Sequence, residues 1–297
     1  MDLQTRSAVA VASFVDFCTT HNIAQPPDKI VKNLCTFLCQ DAEQTPTFAF
    51  MRKQTDGILS FSTLTDTPPP AQGRSAKELA KDSQPDPIKV EEARKARLSR
   101  RGACLAFTQL SATFGPRLLE IIPNMWQFMA GGLLSAFQSG LLDFFFSSFT
   151  RSNFYGSESA KKADILIEKQ YGQDVIDSLS VLEAVAPTFH EKLWSNLAQT
   201  FPMMDLAIRS RFAIIRQSAA RCFATICDVM TTDAMRYVIE HLVPLLGDPL
   251  VLSNRQGAIE LIYRSCDLAS SVVQSISHSD IYVQILCNGW ILKPSLM

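Results

Sequence analysis

The chain has 297 residues, 47% apolar and 19% charged, a composition typical of a folded globular protein and not of a disordered one. Its formal net charge is -1, so no global field favours nucleic acid or acidic ligands, and any such binding must be local. The length allows one large core, two domains or an extended array.

The N-terminal stretch MDLQTRSAVAVASFVDF carries Asp2 and Arg6 and has no small-residue cleavage site, so it is not a typical signal peptide. The next segment, DKIVKNLCTFLC from Asp28, repeats apolar residues at helical spacing. It predicts an amphipathic helix with Asp28 as N-cap after two prolines. We expect helices throughout residues 1–60.

A polar segment interrupts this pattern at residues 61–89. It contains five prolines and little that could be buried, which predicts a mobile linker or insertion. Helical periodicity resumes after it and continues through residues 90–269. Residues 270–297 no longer follow the pattern and form an atypical tail.

A basic run opens the second helical region. It supports either a nuclear-import signal or a contact to DNA phosphates. The competing interpretation is a solvated helix start, with Glu91 and Glu92 near its N-terminus and an i,i+4 pair between Glu91 and Lys95. The basic residues are Arg94, Lys95, Arg97, Arg100 and Arg101.

The segment from Ile121 to Leu142 carries no charge and is long enough in principle to span a bilayer. It also contains polar side chains on both faces and the adjacent Gly131 and Gly132. We therefore predict a buried helix pair broken near the glycines, and no membrane span.

Four helices open with a similar phrase: TRSA from Thr5, RRGA from Arg100, RQSA from Arg216 and RQGA from Arg255. The last two phrases lie 39 residues apart, and the middle two lie 116 apart, close to three such units. The small residues of the phrase are the expected positions of close helix packing. They are Ala8, Gly102, Ala103, Ser218, Ala219, Gly257 and Ala258.

A helical repeat near 39 residues lies at the lower edge of the range of HEAT and armadillo repeats. The predicted fold is therefore an all-α, HEAT/armadillo-like α-solenoid of about five or six helical hairpins. Within it, GDPLVLSNR, from Gly247 to Arg255, reads as a turn between two helices, with Gly247 as the C′ residue. The next helix is expected to start near Ser253.

Catalytic and cofactor motifs are absent from the sequence. No P-loop, zinc-protease or nucleophile-elbow string occurs, and the four histidines are dispersed. Eight scattered cysteines lie in apolar runs without a C-x-x-C pair, which predicts buried thiols and neither disulfides nor a metal site. We expect a non-catalytic chain with no cofactor.

Three blocks, in order, resemble one family: NLCTFLCQDAEQTP from Asn33, RRGACLAFTQLSATFGPRLLEIIPNMW from Arg100, and SAARCFATICDVMTTDAMRYVIEHLVPLLGDPLVLSNRQGAIELIY from Ser218. The family is that of the TATA-box-binding-protein-associated remodelling ATPases, related to the Snf-type motors. The resemblance covers roughly residues 2–269 and is to the later part of their HEAT array.

The resemblance implies a nuclear scaffold that regulates transcription. Family members bind TATA-binding protein through the HEAT array and remove it from promoter DNA with a C-terminal ATP-hydrolysing motor. This chain lacks the motor's motifs and the earlier part of the array, so no ATPase or partner-binding residue is carried over. Its implied partners are TATA-binding protein, promoter DNA and the missing motor domain.

Two alternatives remain: a HEAT scaffold of another kind, such as a transport receptor or phosphatase subunit, and a helical enzyme. Both ends of the chain are abrupt for a solenoid, which normally carries polar capping helices. We therefore hypothesise a partial or truncated gene product whose tail comes from a shifted or unspliced reading frame.

Overall fold

The computed structural model describes the backbone of residues 2–23, 25–48, 87–140 and 158–273, and the side chains in these ranges except those of residues 87, 158–169 and 266–273. All regular secondary structure in these ranges is helical, which confirms the all-α, solenoid-type class. The α-helices are α1 (Leu3–Thr20), α2 (Gln25–Leu38), α3 (Pro87–Phe114), α4 (Leu118–Ile121), α5 (Met125–Gln138), α6 (Glu158–Val185), α7 (Trp194–Ala198), α8 (Phe201–Ile208), α9 (Ala213–Val229), α10 (Thr231–Tyr237) and α11 (Leu252–Val273).

The chain divides into two compact units. The first contains Met1–Gly131 and Ile176–Thr188, and the second contains Gly132–Val175 and Phe189–Met297. The predicted linker lies outside the described residues up to position 86, and α3 begins at Pro87. At the other end, α11 continues through residues 270–273, and residues 274–297 lie outside the described part.

In the first unit, α3 packs against both α1 and α2. The contact face of α1 repeats at three- and four-residue spacing, as an amphipathic helix requires. Its buried residues are Ala8, Ala12, Val15 and Cys18. On α3 the buried residues include Ala103, Ala106, Phe107 and Leu110, so both small and large side chains fill the core.

Helix α1 ends in a Schellman motif. Asn22 adopts the left-handed conformation, with a φ of 57°, which asparagine tolerates better than most residues. The Ile23 N–H donates to the Cys18 carbonyl at 2.8 Å, and the Asn22 N–H donates to the Thr19 carbonyl at 3.1 Å. These bonds satisfy the last carbonyls of α1 and turn the chain toward α2.

Helix α2 begins at Gln25, three residues before its predicted N-cap. The prediction for Asp28 is wrong because Pro26 and Pro27 are themselves accommodated in the first helical turn, where their missing N–H groups cost little. Asp28 lies in that turn and its carboxylate accepts a hydrogen bond from Asn124 Nδ2 at 2.7 Å.

In the second unit, α9 packs against α8, α10 and α11. An aromatic cluster joins α8, α9 and α10. The ring centroids of Phe201 and Phe223 are 5.1 Å apart, and those of Phe201 and Tyr237 are 5.4 Å apart. Helix α11 packs on α9 and on the turn Val243–Gly247. The second core therefore centres on α9.

After α10 the chain forms a π-helical segment over Val238–Leu242 and then a 3-10 turn over Val243–Gly247. The helical periodicity of residues 90–269 continues through this segment, but the α-helical part ends at Tyr237. Pro244 is the physical reason, because it has no N–H for the i–4 bond and its ring crowds the preceding turn.

The uncharged segment also differs from its prediction. Helix α5 runs unbroken through Gly131 and Gly132, and the break lies earlier, between Ile121 and Met125. Burial of flanking residues such as Met129 and Leu133 offsets the low helix propensity of the glycines. Among the described residues, no helix is both long and apolar enough to cross a membrane.

Candidate functional site

The helices that carry the repeated phrase pack in pairs: α1 with α3 in the first unit, and α9 with α11 in the second. The prediction that the phrase opens each helix is wrong for α3, which begins at Pro87 and carries Arg100 in its middle. The alanine of each phrase is almost fully buried, with exposed fractions of 4% or less. These alanines are Ala8, Ala103, Ala219 and Ala258. The phrase therefore lies on the faces where equivalent helices meet.

The two phrase glycines have different surroundings. A Cβ on Gly257 would lie 2.0 Å from the backbone oxygen of Ile208, at the end of α8. A Cβ on Gly102 would meet only Gln4 Nε2, at 3.8 Å. Gly257 is thus required by a close helix–helix approach, whereas Gly102 lies half-buried in open packing.

The first residue of the second and third phrases is an arginine with an equivalent role. Arg100 Nη1 donates to the carbonyl oxygen of Leu38, the last residue of α2. Arg216 Nη1 donates to the carbonyl oxygens of Ser210 at 3.0 Å and Arg211 at 3.3 Å, just after α8. Each guanidinium satisfies carbonyls where the preceding helix ends.

Arg216 also connects consecutive repeats. Its Nη2 lies 3.7 Å from Glu260 Oε1 on α11, and the Arg216 side chain is 4% exposed. Burial lowers the pKa of the Arg216 guanidinium and raises the pKa of the Glu260 carboxyl. The attraction between the two charges opposes both shifts.

The basic run on α3 makes mostly contacts within the chain. Arg94 binds both carboxylate oxygens of Glu91, at 2.8 and 3.0 Å. Arg97 lies 3.8 Å from Glu43, and Arg101 lies 3.2 Å from Asp2. Glu91 therefore pairs with Arg94 at i,i+3, and not with Lys95 as the helix-surface interpretation proposed.

Arg100 is the most enclosed member of the run. Besides the Leu38 carbonyl, its Nη1 lies 3.3 Å from Ser180 Oγ and 3.5 Å from Thr45 Oγ1, and both hydroxyl-bearing residues are buried. It therefore holds the end of α2, the following loop and α6 together. Lys95 is exposed, so the run contributes less unbalanced positive charge to the surface than its composition indicates.

The turn from Gly247 to Arg255 is held by hydrogen bonds to the side chain of Asp248. The Asp248 carboxylate itself accepts hydrogen bonds from the N–H groups of Leu250 at 2.8 Å and Val251 at 3.0 Å, and from Asn254 Nδ2 at 2.6 Å. These bonds lower the pKa of Asp248. Gly247 is not left-handed, so its predicted C′ role is wrong; the 3-10 turn ends there without that conformation.

A polar cluster in the second unit was not predicted from the sequence. Asp205 is buried on α8 and accepts two hydrogen bonds from Arg209, both at 2.6 Å. Burial, with the nearby Asp205 charge, raises the pKa of Tyr237 to about 12. The i,i+4 spacing of Asp205 and Arg209 was the available signal, but only the fold adds Tyr237.

In the described ranges, no group of three or more His, Cys, Asp or Glu side chains could hold a metal ion. Burial raises the pKa values of Cys35, Cys39 and Cys227 to about 12, so these thiols are protonated and unreactive at neutral pH. His21 and His241 are exposed on separate helical segments.

The helices of the described ranges and their packing define the class: an all-α, solenoid-type protein. Residues 1–128 match the family model described as a domain of unknown function (DUF3535). By its relatives, the chain belongs to the family of TATA-binding protein-associated factors.

The similar proteins include TATA-binding protein-associated factor mot1 of Aspergillus fumigatus, 34% identical over 263 residues. BTAF1 of Arabidopsis thaliana is 29% identical and MOT1 of Saccharomyces cerevisiae is 28% identical. Each match covers 88% of this chain. The chain spans only 12%, 11% and 12% of the length of these relatives, respectively.

Proposed function

We propose that this chain is a non-catalytic scaffold segment of a nuclear, transcription-regulating factor that binds TATA-binding protein. The observation that supports the proposal is 34% identity, over 88% of the chain, to a protein named for its association with TATA-binding protein. In this proposal, removal of TATA-binding protein from promoter DNA requires an ATP-hydrolysing motor outside the chain, and the segment couples the bound partner to that motor.

The surface of α1 supports a protein partner. Leu3, Phe14 and Phe17 project from its outer face with exposed fractions of 77%, 48% and 52%. Aromatic side chains of this size on a helix face are common anchors in protein interfaces. The basic run on α3 is a weaker candidate for DNA, because Glu91, Glu43 and Asp2 balance three of its charges.

The proposal is tested by retention of purified TATA-binding protein on the immobilised chain, with and without a TATA-containing duplex. We expect retention in both conditions, and a drop of about tenfold for the Phe14→Ser/Phe17→Ser variant. The matched control is Lys95→Gln, an exposed change on α3 that should leave retention unaltered. Loss of retention in both conditions for the unmodified chain would show that this segment does not bind the partner.

The non-catalytic part of the proposal has its own test. ATP hydrolysis by the chain, measured with and without duplex DNA, should stay at the level of a protein-free control. The sequence contains no P-loop (Walker A) motif that would bind the phosphates of a nucleoside triphosphate. Turnover above that control, retained through purification, would contradict a scaffold role.

A further inference from the structure

The outer face of α1 carries a second stripe, separate from the one that packs in the core. Its residues follow one another at alternating spacings of four and three, the heptad pattern of helices that pack side by side. All are exposed, and the exposed fractions of the three largest apolar members are those given above for Leu3, Phe14 and Phe17. We call this set the α1 seam; its members are Leu3, Ser7, Ala10, Phe14, Phe17 and His21.

The repeat itself does not require large side chains on this face. Phe14 lies six positions after the alanine of its phrase, and Phe17 lies nine positions after it. In α3, α9 and α11 the sixth position is polar, and in α9 the ninth position is Asp228. The sixth-position residues of those helices are Gln109, Thr225 and Arg264. The two phenylalanines therefore distinguish α1 from the other helices that carry the phrase.

The Phe17 side chain is held in place by its own helix. The ring of His21 packs on the ring of Phe17, with 4.1 Å between their centroids. His21 Nδ1 also donates a hydrogen bond to the Phe17 carbonyl oxygen at 2.8 Å. An anchor that is already ordered loses less side-chain entropy on binding, so Phe17 is suited to an interface.

The two halves of the α1 seam are complementary in size. Ser7 and Ala10 leave room in its N-terminal half, whereas Phe14 and Phe17 project from its C-terminal half. When two copies of α1 run antiparallel, the heptad pattern places Phe17 opposite Ser7, and Phe14 opposite Ala10, of the other copy. Each large side chain then packs against a small one, with the two-fold symmetry that is common in homodimers.

Charge also favours the antiparallel arrangement. Arg6 is exposed and flanks the α1 seam near the start of the helix. In a parallel pair the two copies of Arg6 would lie side by side and repel each other. The antiparallel pair separates them and places each near the C-terminal carbonyls of the other α1, where the helix dipole attracts a cation.

The area of the α1 seam is that of a weak, reversible dimer. At roughly 200 Å² for a large side chain, the exposed parts of Leu3, Phe14 and Phe17 amount to roughly 350 Å² in each copy. Two copies therefore bury roughly 700 Å² from these residues, and the smaller members add to this. The total is at or below the lower end of the range of about 1,200–2,000 Å² for stable interfaces, which predicts a Kd on the order of 10–100 µM.

We propose that α1 binds a second copy of this chain, in antiparallel orientation, along the α1 seam. The inference goes beyond the proposed function, because the dimer needs no other protein. A second copy on this face leaves Phe14 and Phe17 unavailable to TATA-binding protein, and only this consequence rests on the proposed function. Self-association would then limit how much of the chain is free to bind that partner.

The test is sedimentation equilibrium of the full chain alone, from about 1 µM to about 300 µM, and we expect a monomer–dimer equilibrium within this range. Phe14→Ser/Phe17→Ser should weaken the dimer at least about tenfold. Ala10→Glu should do the same, because it places a charge opposite Phe14 of the other copy. Ala10 is exposed, so this second variant tests the proposal even where the first does not fold.

The matched control is Phe137→Ser in α5, at a phenylalanine that is 39% exposed and lies outside the α1 seam. It should leave the dimer unchanged. Orientation is tested with a short bismaleimide cross-linker. A mixture of Arg6→Cys and Thr20→Cys chains should cross-link, because antiparallel helices bring these flanking positions together, whereas Thr20→Cys alone should not exceed the unmodified chain.

A chain that stays monomeric over the whole concentration range overturns the proposal, whether or not it retains TATA-binding protein. So does a dimer that Phe14→Ser/Phe17→Ser leaves intact, or one in which Thr20→Cys chains cross-link to each other. Failure to retain TATA-binding protein refutes only the proposed function, because the sedimentation measurement uses the chain alone.

Discussion

Arg216 of α9 and Glu260 of α11 form an ion pair between the opening helices of consecutive repeats, with 3.7 Å between Nη2 and Oε1. Their side chains are 4% and 17% exposed, so the pair lies between the helices and not on the solvent face. Arg216 also binds the two carbonyls that follow α8. One side chain thus connects the end of α8 with α9 and α11 in the second unit.

The first prediction concerns this pair. Glu260→Gln removes the negative partner and leaves a buried guanidinium uncompensated, so the free energy of unfolding should fall by on the order of 3 kcal/mol. The measurement is denaturant unfolding followed by circular dichroism. Glu240→Gln, a change at an exposed carboxylate, is the control and should stay within about 0.5 kcal/mol of the unmodified chain. Equal stability of both variants would show that the pair contributes nothing.

The second prediction compares the two phrase glycines. Gly257→Ala places a methyl group against the Ile208 backbone oxygen and should destabilise the chain by about 1–3 kcal/mol. Gly102→Ala has room for its methyl group and removes backbone freedom from a helix interior, so it should be neutral or stabilising by up to about 1 kcal/mol. Thermal unfolding of both variants checks the contrast, and the reverse order would contradict the packing described at Gly257.

The third prediction separates the structural arginine of the basic run from an exposed lysine. Arg100→Gln removes the guanidinium that donates to the Leu38 carbonyl and contacts the buried hydroxyls of Thr45 and Ser180. The free energy of unfolding should therefore fall by about 2 kcal/mol. Lys95→Gln should leave it unchanged within about 0.5 kcal/mol. If the two substitutions lower the unfolding midpoint equally, Arg100 does not have the joining role assigned to it.

The fourth prediction is a pH dependence at the start of α11. Hydrogen bonds from Leu250, Asn254 and Val251 lower the pKa of Asp248 from 3.8. The folded state therefore binds this proton less tightly than the unfolded state, and the contribution is complete above pH 3.8 and lost as pH falls through the lower folded pKa.

The variant that tests this dependence is Asp248→Ala. Its unfolding midpoint should be lower than that of the unmodified chain at pH 6, and the difference should shrink between about pH 4 and pH 2. Asp233→Ala, at a carboxylate with an exposed ion-pair contact to Arg236, is the control. A difference between Asp248→Ala and the unmodified chain that stays constant across this range would show that the hydrogen-bonded carboxylate is not its source.

Local patterns predicted the helices well and their ends less well. The apolar spacing after Asp28 corresponds to α2, and the helix expected to start near Ser253 corresponds to α11, because periodicity reports which face of a helix is buried. The errors occur where competing local effects meet. Two prolines shifted the start of α2, Pro244 divided the segment after α10, and tertiary burial kept α5 intact through its glycines.

The sequence alone determined the all-α class, the 39-residue register and the family resemblance, because these depend on spacing and residue type along the chain. Only the tertiary structure decided the role of individual side chains. Arg100 and the Leu38 carbonyl are 62 positions apart, and nothing local links them. The structure likewise showed that Gly257 lies against the backbone of Ile208, whereas no backbone atom of another helix lies close to Gly102. Such close contact depends on how two helices cross and not on the phrase itself.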